Sequence, residues 1–133
     1  MSIQEMLKTH PKPMTIDTQV LAECVDACFE CAATCTSCAD ACLAENMVAE
    51  LRACIRTDLD CADVCSATGS ILARQTEPDT TLLRAQLEAC AAACGVCASS
   101  CEAHKDMHEH CRICAEACRR CEASCRKVIA ALS

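Results

Sequence analysis

Eighteen cysteines stand in this chain at spacings that repeat. Cys24, Cys28, Cys31, Cys35, Cys38 and Cys42 follow one another at gaps of 4, 3, 4, 3 and 4. Cys90, Cys94, Cys97 and Cys101 are spaced 4, 3 and 4, and Cys111, Cys114, Cys118, Cys121 and Cys125 are spaced 3, 4, 3 and 4. Cys54, Cys61 and Cys65 add gaps of 7 and 4. Every gap fits the inward seam of a heptad, the positions that Leu and Ile normally fill in a helical bundle. All 18 thiols are therefore expected to point into one core.

Residues three or four apart on a helix have Cβ atoms roughly 5–6 Å apart. Small rotamer changes bring their sulfurs to about twice a metal–thiolate bond of roughly 2.2–2.3 Å. That geometry suits a two-coordinate soft ion held between neighbouring thiolates, and Cu(I) is the soft ion that thiolates select. If each thiolate bridges two ions and each ion takes two sulfurs, the ratio is one ion per cysteine. One cation then meets one thiolate, and a neutral cluster is what a buried core tolerates.

Other readings of the ladder stand beside this one. A zinc or general soft-metal sink is the main rival, although Zn²⁺ asks for closed tetrahedral sets of four ligands. Buried neutral thiols can serve as small hydrophobes. Disulfide staples would need distinct pairs and an oxidising compartment. An iron–sulfur carrier usually shows a C-x2-C-x2-C-x3-C-P run, which is absent. A thiol oxidoreductase needs one poised pair on a βαβ scaffold.

The elements that must carry the ladder are helices. Two Gly and three Pro interrupt the chain little, and the lone aromatic residue is Phe29. The fold class expected is all-α: an antiparallel up-down-up-down four-helix bundle with a cysteine-lined core. Residues 1–14, with Pro11 and Pro13, read as a short N-terminal arm holding at most a helix at 3–9. Residues 15–133 form the bundle, with helices at about 17–45, 47–74, 79–101 and 108–131. Helices of about 25 residues span roughly 38 Å, and short connections make neighbours antiparallel. Ala27, Ala32, Ala39, Ala93, Ala115 and Ala117 flank the seam and let backbones approach. The first long helix is acidic, with Glu23, Asp26, Glu30, Asp40 and Glu45; the last is basic, with Arg112, Arg119, Arg120, Arg126 and Lys127. These faces are expected to be solvated, with some pairing between helices. In the arm, Met1, Met6, His10 and Met14 are expected to pack or face solvent.

The seam extends beyond the cysteines. Leu21, Leu72, Leu83, Leu87, Val128 and Leu132 make one end apolar. The other end holds Met47 and the turn with His104, Met107, His108 and His110. Asp58 occupies a seam position where a cysteine is missing, about one layer inside Cys54. The core is thus asymmetric along its axis, and the end without an apolar plug is the expected doorway for an ion.

Net charge is −7 and the pI about 5.0, which excludes a basic nucleic-acid surface. No run of 18 apolar residues is present, so no membrane span is expected. The first residues show neither an apolar core nor twin arginines, which reads as a cytoplasmic protein. In a reducing cytosol, dense cysteine points to metal or redox chemistry.

The run at 24–42, the ladders at 90–101 and 111–125 and the His-rich turn between them resemble the cytosolic copper storage proteins, bacterial four-helix bundles rich in Cys. The likeness covers about residues 15–132. It implies storage of many Cu(I) ions and commonly a homotetramer; separately, the residues offer no set of nucleophile, base and oxyanion donors, so no catalytic activity is expected. Secreted relatives carry a twin-arginine signal, absent here. The resemblance also implies entry at the histidine end, which maps onto His104, His108, His110 and Asp58. Partners consistent with that role are copper ions, further copies of the chain, and a copper chaperone or copper-requiring enzyme.

Overall fold

The computed structural model describes residues 3–132; Met1, Ser2 and Ser133 lie outside the described residues. Five α-helices follow in order: α1 (Ile3–Lys8), α2 (Thr18–Leu43), α3 (Arg52–Leu72), α4 (Thr80–Glu102) and α5 (Glu109–Ala131). Two starts are set by aspartates. The Asp17 carboxylate accepts from the backbone N–H groups of Gln19 and Val20, and Asp79 accepts from Leu82. Each such cap contributes about 1 kcal/mol.

The entry to α3 differs from the expected helix from residue 47. Val48–Leu51 forms a 3-10 turn and the α-helix begins at Arg52. Met47 offers no side-chain cap, and the tighter winding still delivers Leu51 to the core, fully buried. The helix expected to reach residue 45 stops at Leu43, where the N–H groups of Ala44 and Glu45 turn back to Ala41 and Cys42. Glu45 is thereby freed from the helix.

Around the bundle, α2 packs on α3 and α5, and α4 closes the ring between α3 and α5. Contacts join the start of one helix to the end of its neighbour. Cys24 meets Cys125 and Cys38 meets His110; Cys65 meets Cys90 and Cys54 meets Cys101. Gly69 is required by such a contact: a Cβ there would lie 3.0 Å from Phe29 Cζ, so its absence seats the ring between α2 and α3.

At one end Leu21, Leu72, Leu83, Leu87 and Val128 are buried, with Leu132 against them. Burial stabilises by about 1.5–3 kcal/mol for each such side chain. The arm joins this end rather than standing clear of it. Leu7 and Ile16 are buried in the same core, Met14 packs against it and Met6 is exposed. His10 Nε2 lies 3.2 Å from the Thr76 hydroxyl, tying the arm to the α3–α4 turn. Of the surface charges, Arg120–Glu30 joins α5 to α2 at 2.7 Å and Arg119–Glu102 joins α5 to α4 at 2.9 Å. Exposed pairs of this kind contribute about 0–1 kcal/mol each.

Candidate metal centre

Every one of the 18 cysteines is buried and unpaired by disulfide. Heptad spacing on α2, α3, α4 and α5 places them on four inward faces, and the alternating sense of the helices stacks those faces into layers. Sulfurs from different helices come within 3.5 Å for Cys35–Cys118, 3.6 Å for Cys65–Cys94 and 3.7 Å for Cys31–Cys118 and Cys28–Cys121. Along a helix, Cys31–Cys35 and Cys61–Cys65 are each 3.7 Å apart.

The thiols gather in fours whose ligand atoms all lie within 4.8 Å of one another. Cys28, Cys90, Cys121 and Cys125 form one group, and Cys31, Cys65, Cys94 and Cys121 another. Cys31, Cys35, Cys61 and Cys118 form a third, and Cys35, Cys97, Cys114 and Cys118 a fourth. The groups share members. Cys121 belongs to the first two, Cys31 to the second and third, and Cys35 and Cys118 to the third and fourth. No boundary divides these four groups into closed sets, so an ion held in one would share a sulfur with an ion held in the next.

Asp58 sits inside this ladder, fully buried. Its Oδ1 accepts hydrogen bonds from the thiols of Cys97 at 3.0 Å, Cys114 at 3.2 Å and Cys101 at 3.5 Å. Burial, then the neighbouring Cys114 and Cys97, push its carboxyl up to about 12, so it carries a proton at neutral pH. Its Oδ2 is buried without a partner. The carboxyl is therefore a neutral member of the thiol core.

At the histidine end, Cys38, Cys42, Cys111 and His110 form a further group within 4.8 Å. His110 Nδ1 lies 3.4 Å from Cys38 Sγ and 3.7 Å from Cys111 Sγ. Burial raises the thiols of Cys42 and Cys111, whereas Cys54 is held down at about 7, first by its hydrogen bond with Cys101. A groove of about 330 Å³ between α2 and α5, lined by Ala33, Thr34, Ser37 and Ile113, reaches the Cys38–His110 edge. His108 stacks on His110 with ring centroids 5.3 Å apart. His104 Nδ1 and His108 Nε2 are buried without partners. Met107 stands apart from this cluster, 56% exposed on the turn.

One residue of this end escaped the sequence reading. Glu45 Oε2 accepts from His110 Nε2 at 3.0 Å and lies 3.0 Å from His108 Nδ1. The available signal was topological: antiparallel helices put the end of α2 beside the start of α5.

Comparison with known proteins agrees with the geometry. The chain is similar to the copper storage protein Ccsp of Streptomyces lividans in a form loaded with 10 copper equivalents, at 49% identity and a TM-score of 0.96, covering 98% of this chain and 100% of that one. A form of the cytosolic Streptomyces lividans protein carrying five coppers matches at 53% identity and a TM-score of 0.85, over 86% of this chain and 96% of that one. An uncharacterized cysteine-rich protein of Bacillus subtilis, YhjQ, is 36% identical over 91 residues, which is 68% of this chain and 79% of the relative. Among the described residues no helix is long and apolar enough to cross a membrane. The profile of the copper storage proteins matches residues 17–130, and the chain with its thiol-lined helical core belongs to that family.

Proposed function

We propose that this protein stores Cu(I) in the cytoplasm as thiolate-bridged clusters, about one ion per cysteine, and that it does so as a container rather than an enzyme. The observation that carries this is the sharing of Cys121, Cys31, Cys35 and Cys118 between adjoining four-thiol groups. A shared sulfur is a bridging ligand. Bridging lets a soft ion of low coordination number fill the ladder continuously, whereas tetrahedral zinc would isolate four thiolates at a time. The ligands proposed are Cys24, Cys28, Cys31, Cys35, Cys38, Cys42, Cys54, Cys61, Cys65, Cys90, Cys94, Cys97, Cys101, Cys111, Cys114, Cys118, Cys121 and Cys125. His104, His108 and His110 serve the entrance, and Asp58 is a neutral group inside the ladder.

The doorway follows from what closes each end. Leucine and valine at the far end offer no ligand and are sealed over by the arm. Imidazole takes Cu(I) without a fixed negative charge and passes it to the first thiolates, Cys42, Cys111 and Cys38. Several copies of the chain assemble in this reading, a tetramer by likeness to the family, and a copper chaperone or copper-requiring enzyme loads or unloads it.

The storage reading is tested by competition under anaerobic conditions. Protein first saturated with Zn²⁺ should release all of it when Cu(I) is added, and the product should stay colourless in the visible. Zinc retained against excess Cu(I) would make this a zinc sink instead. A brown product after incubation with iron and sulfide, at the expense of copper binding, would point to a cluster carrier.

A further inference from the structure

We propose that copper enters this bundle from the side: the groove between α2 and α5 is a binding site for a small thiol carrying Cu(I), and Cys38 takes the ion from it. The inference rests on the reading of the histidine end as the doorway, and it names the wall through which that doorway opens.

The very end of the bundle offers little to an arriving ion. Cys42, Cys101 and Cys111, the thiols next to the turns, show no surface. His104 Nδ1 and His108 Nε2 are buried, and the His108 side chain is only 10% exposed. His110 is more open, with 27% of its side chain exposed. Among the 18 thiols Cys38 shows the most surface, at 2%. Cys38 and His110 are also the two ligands that line the groove of about 330 Å³, beside Ala33, Thr34, Ser37 and Ile113. The gap has a cause in the sequence. Ala33, Thr34 and Ser37 are short side chains in the turn before Cys38, where a large one would fill the space between the helices. One turn further back, Glu30 pairs with Arg120 and ties α2 to α5.

His110 joins the groove to the ladder. Its Nε2 donates to Glu45 Oε2 at 3.0 Å, since a carboxylate only accepts. In the neutral ring Nδ1 is then a lone pair, and it lies 3.4 Å from Cys38 Sγ and 3.7 Å from Cys111 Sγ. An ion that reaches Cys38 thus has His110, Cys42 and Cys111 as its next ligands, all within 4.8 Å of one another.

Size selects the occupant. The volume is that of a small-molecule site, whereas a stable protein interface covers about 800 Å² on each partner. Cu(I) selects thiolates, so the small ligand that brings it is a thiol. Thr34 and Ser37 offer hydroxyls to its polar groups, and Ala33 and Ile113 cover its methylenes. The transfer is ligand exchange without oxidation or reduction. A bond from Cu(I) to Cys38 Sγ forms as the bond to the carrier sulfur breaks. The Cys38 proton passes to that sulfur, and the carrier leaves as a free thiol.

The test follows uptake from the Cu(I) complex of glutathione by stopped flow, with reduced apo-protein under anaerobic conditions. Ala33 and Ser37 are exposed, so an Ala33→Leu/Ser37→Leu variant fills the groove without entering the core. Its uptake should slow about 10-fold, with the final copper content reached as before. Ile113→Ala widens the groove and should speed uptake by about 2- to 3-fold, which keeps the test open if the filled variant folds poorly. Wild-type rates in both variants, with slow uptake in a His104→Ala/His108→Ala/His110→Ala variant, would overturn the side entrance and leave an axial one at the same end. Lost capacity in the filled variant would also overturn it, because the groove wall would then belong to the store itself. Unaltered uptake in the groove variants and in the triple histidine variant alike would instead overturn the doorway reading beneath it.

Discussion

The two ends of the bundle are closed by different means. At one, Leu21, Leu72, Leu83, Leu87 and Val128 interlock, and the arm adds Leu7 and Ile16 over them. At the other, the closing groups are His104, His108, His110 and Glu45, with two ring nitrogens buried and unpartnered. The first end resembles the core of an ordinary helical protein and holds the helices together with no ion present. The second leaves two ring nitrogens without hydrogen-bond partners at the end that holds Cys38, Cys42 and Cys111. In the reading proposed above, stability and traffic are separated along one axis. A container needs both: walls that stand when empty and an opening whose ligands are not already spent on each other.

The largest effect expected from this division is on the response to metal. A ligand that binds only the folded state stabilises by about 4 kcal/mol per site at a thousandfold excess over Kd, and here many sites add. The apo-protein should already be helical, with its slowest amide exchange around Leu21–Val25 and Leu83–Leu87. Loading with Cu(I) should raise protection most around Cys35–Cys42 and Cys97–Cys114. A random-coil circular dichroism spectrum for the reduced apo-protein would collapse the distinction and make this a domain folded by its metal.

Next in size is a cavity at the apolar end. Leu87→Ala should lower apo-protein stability by about 2–5 kcal/mol in urea unfolding, while copper capacity is retained. A lost capacity with unchanged stability would place the function of that end elsewhere.

Asp58 gives a smaller and pH-dependent effect. Its folded carboxyl is pushed up to about 12, against about 3.9 in an unfolded chain, so the folded state binds a proton that the unfolded state lacks. The favourable contribution is fully present below about pH 3.9 and is lost as pH rises towards the folded value. At neutral pH the residue therefore destabilises the apo-protein. Asp58→Asn is neutral without taking up a proton and should raise stability at pH 7 by up to about 4 kcal/mol. Between pH 5 and 7 the wild type should lose up to about 1.4 kcal/mol per pH unit relative to the variant. Parallel pH profiles for the two proteins would mean that Asp58 is ionised in the folded core.

The smallest energies belong to the doorway, where only rates should move. A His104→Ala/His108→Ala/His110→Ala variant should exchange copper at an altered rate, by a few-fold or about 1 kcal/mol, with nearly the same final content. Unaltered exchange there, together with faster exchange when Leu21 and Leu132 are trimmed to Ala, would put the entrance at the apolar end instead.

Much of this was legible in the residues. Gaps of three and four are a direct record of which face a helix turns inward, so the thiol ladder and the buried position of Asp58 could be read without coordinates. Extending the same seam separated the leucine end from the histidine end. What escaped depended on contacts distant in sequence. Leu7 and Ile16 lie beside prolines with no periodic pattern to mark them. Glu45 finds His110 across 65 residues, and only the antiparallel sense of α2 and α5 brings them together. The 3-10 turn was hidden because Met47, Leu51 and Cys54 keep heptad phase through it, and a tight turn and a helix look alike at that spacing. Which sulfurs share a group is set by cross-helix register, on which gaps within one helix are silent.

The measurement that bears most directly on the bridged ladder is the count of ions at saturation. Reduced protein is titrated anaerobically with Cu(I) and weighed intact by native mass spectrometry. Bridging through shared sulfurs predicts roughly one copper for each of the 18 cysteines. Saturation at about four to six ions, one for each closed set of four thiols, would show that the groups are separate tetrahedral sites and that the ladder is not continuous.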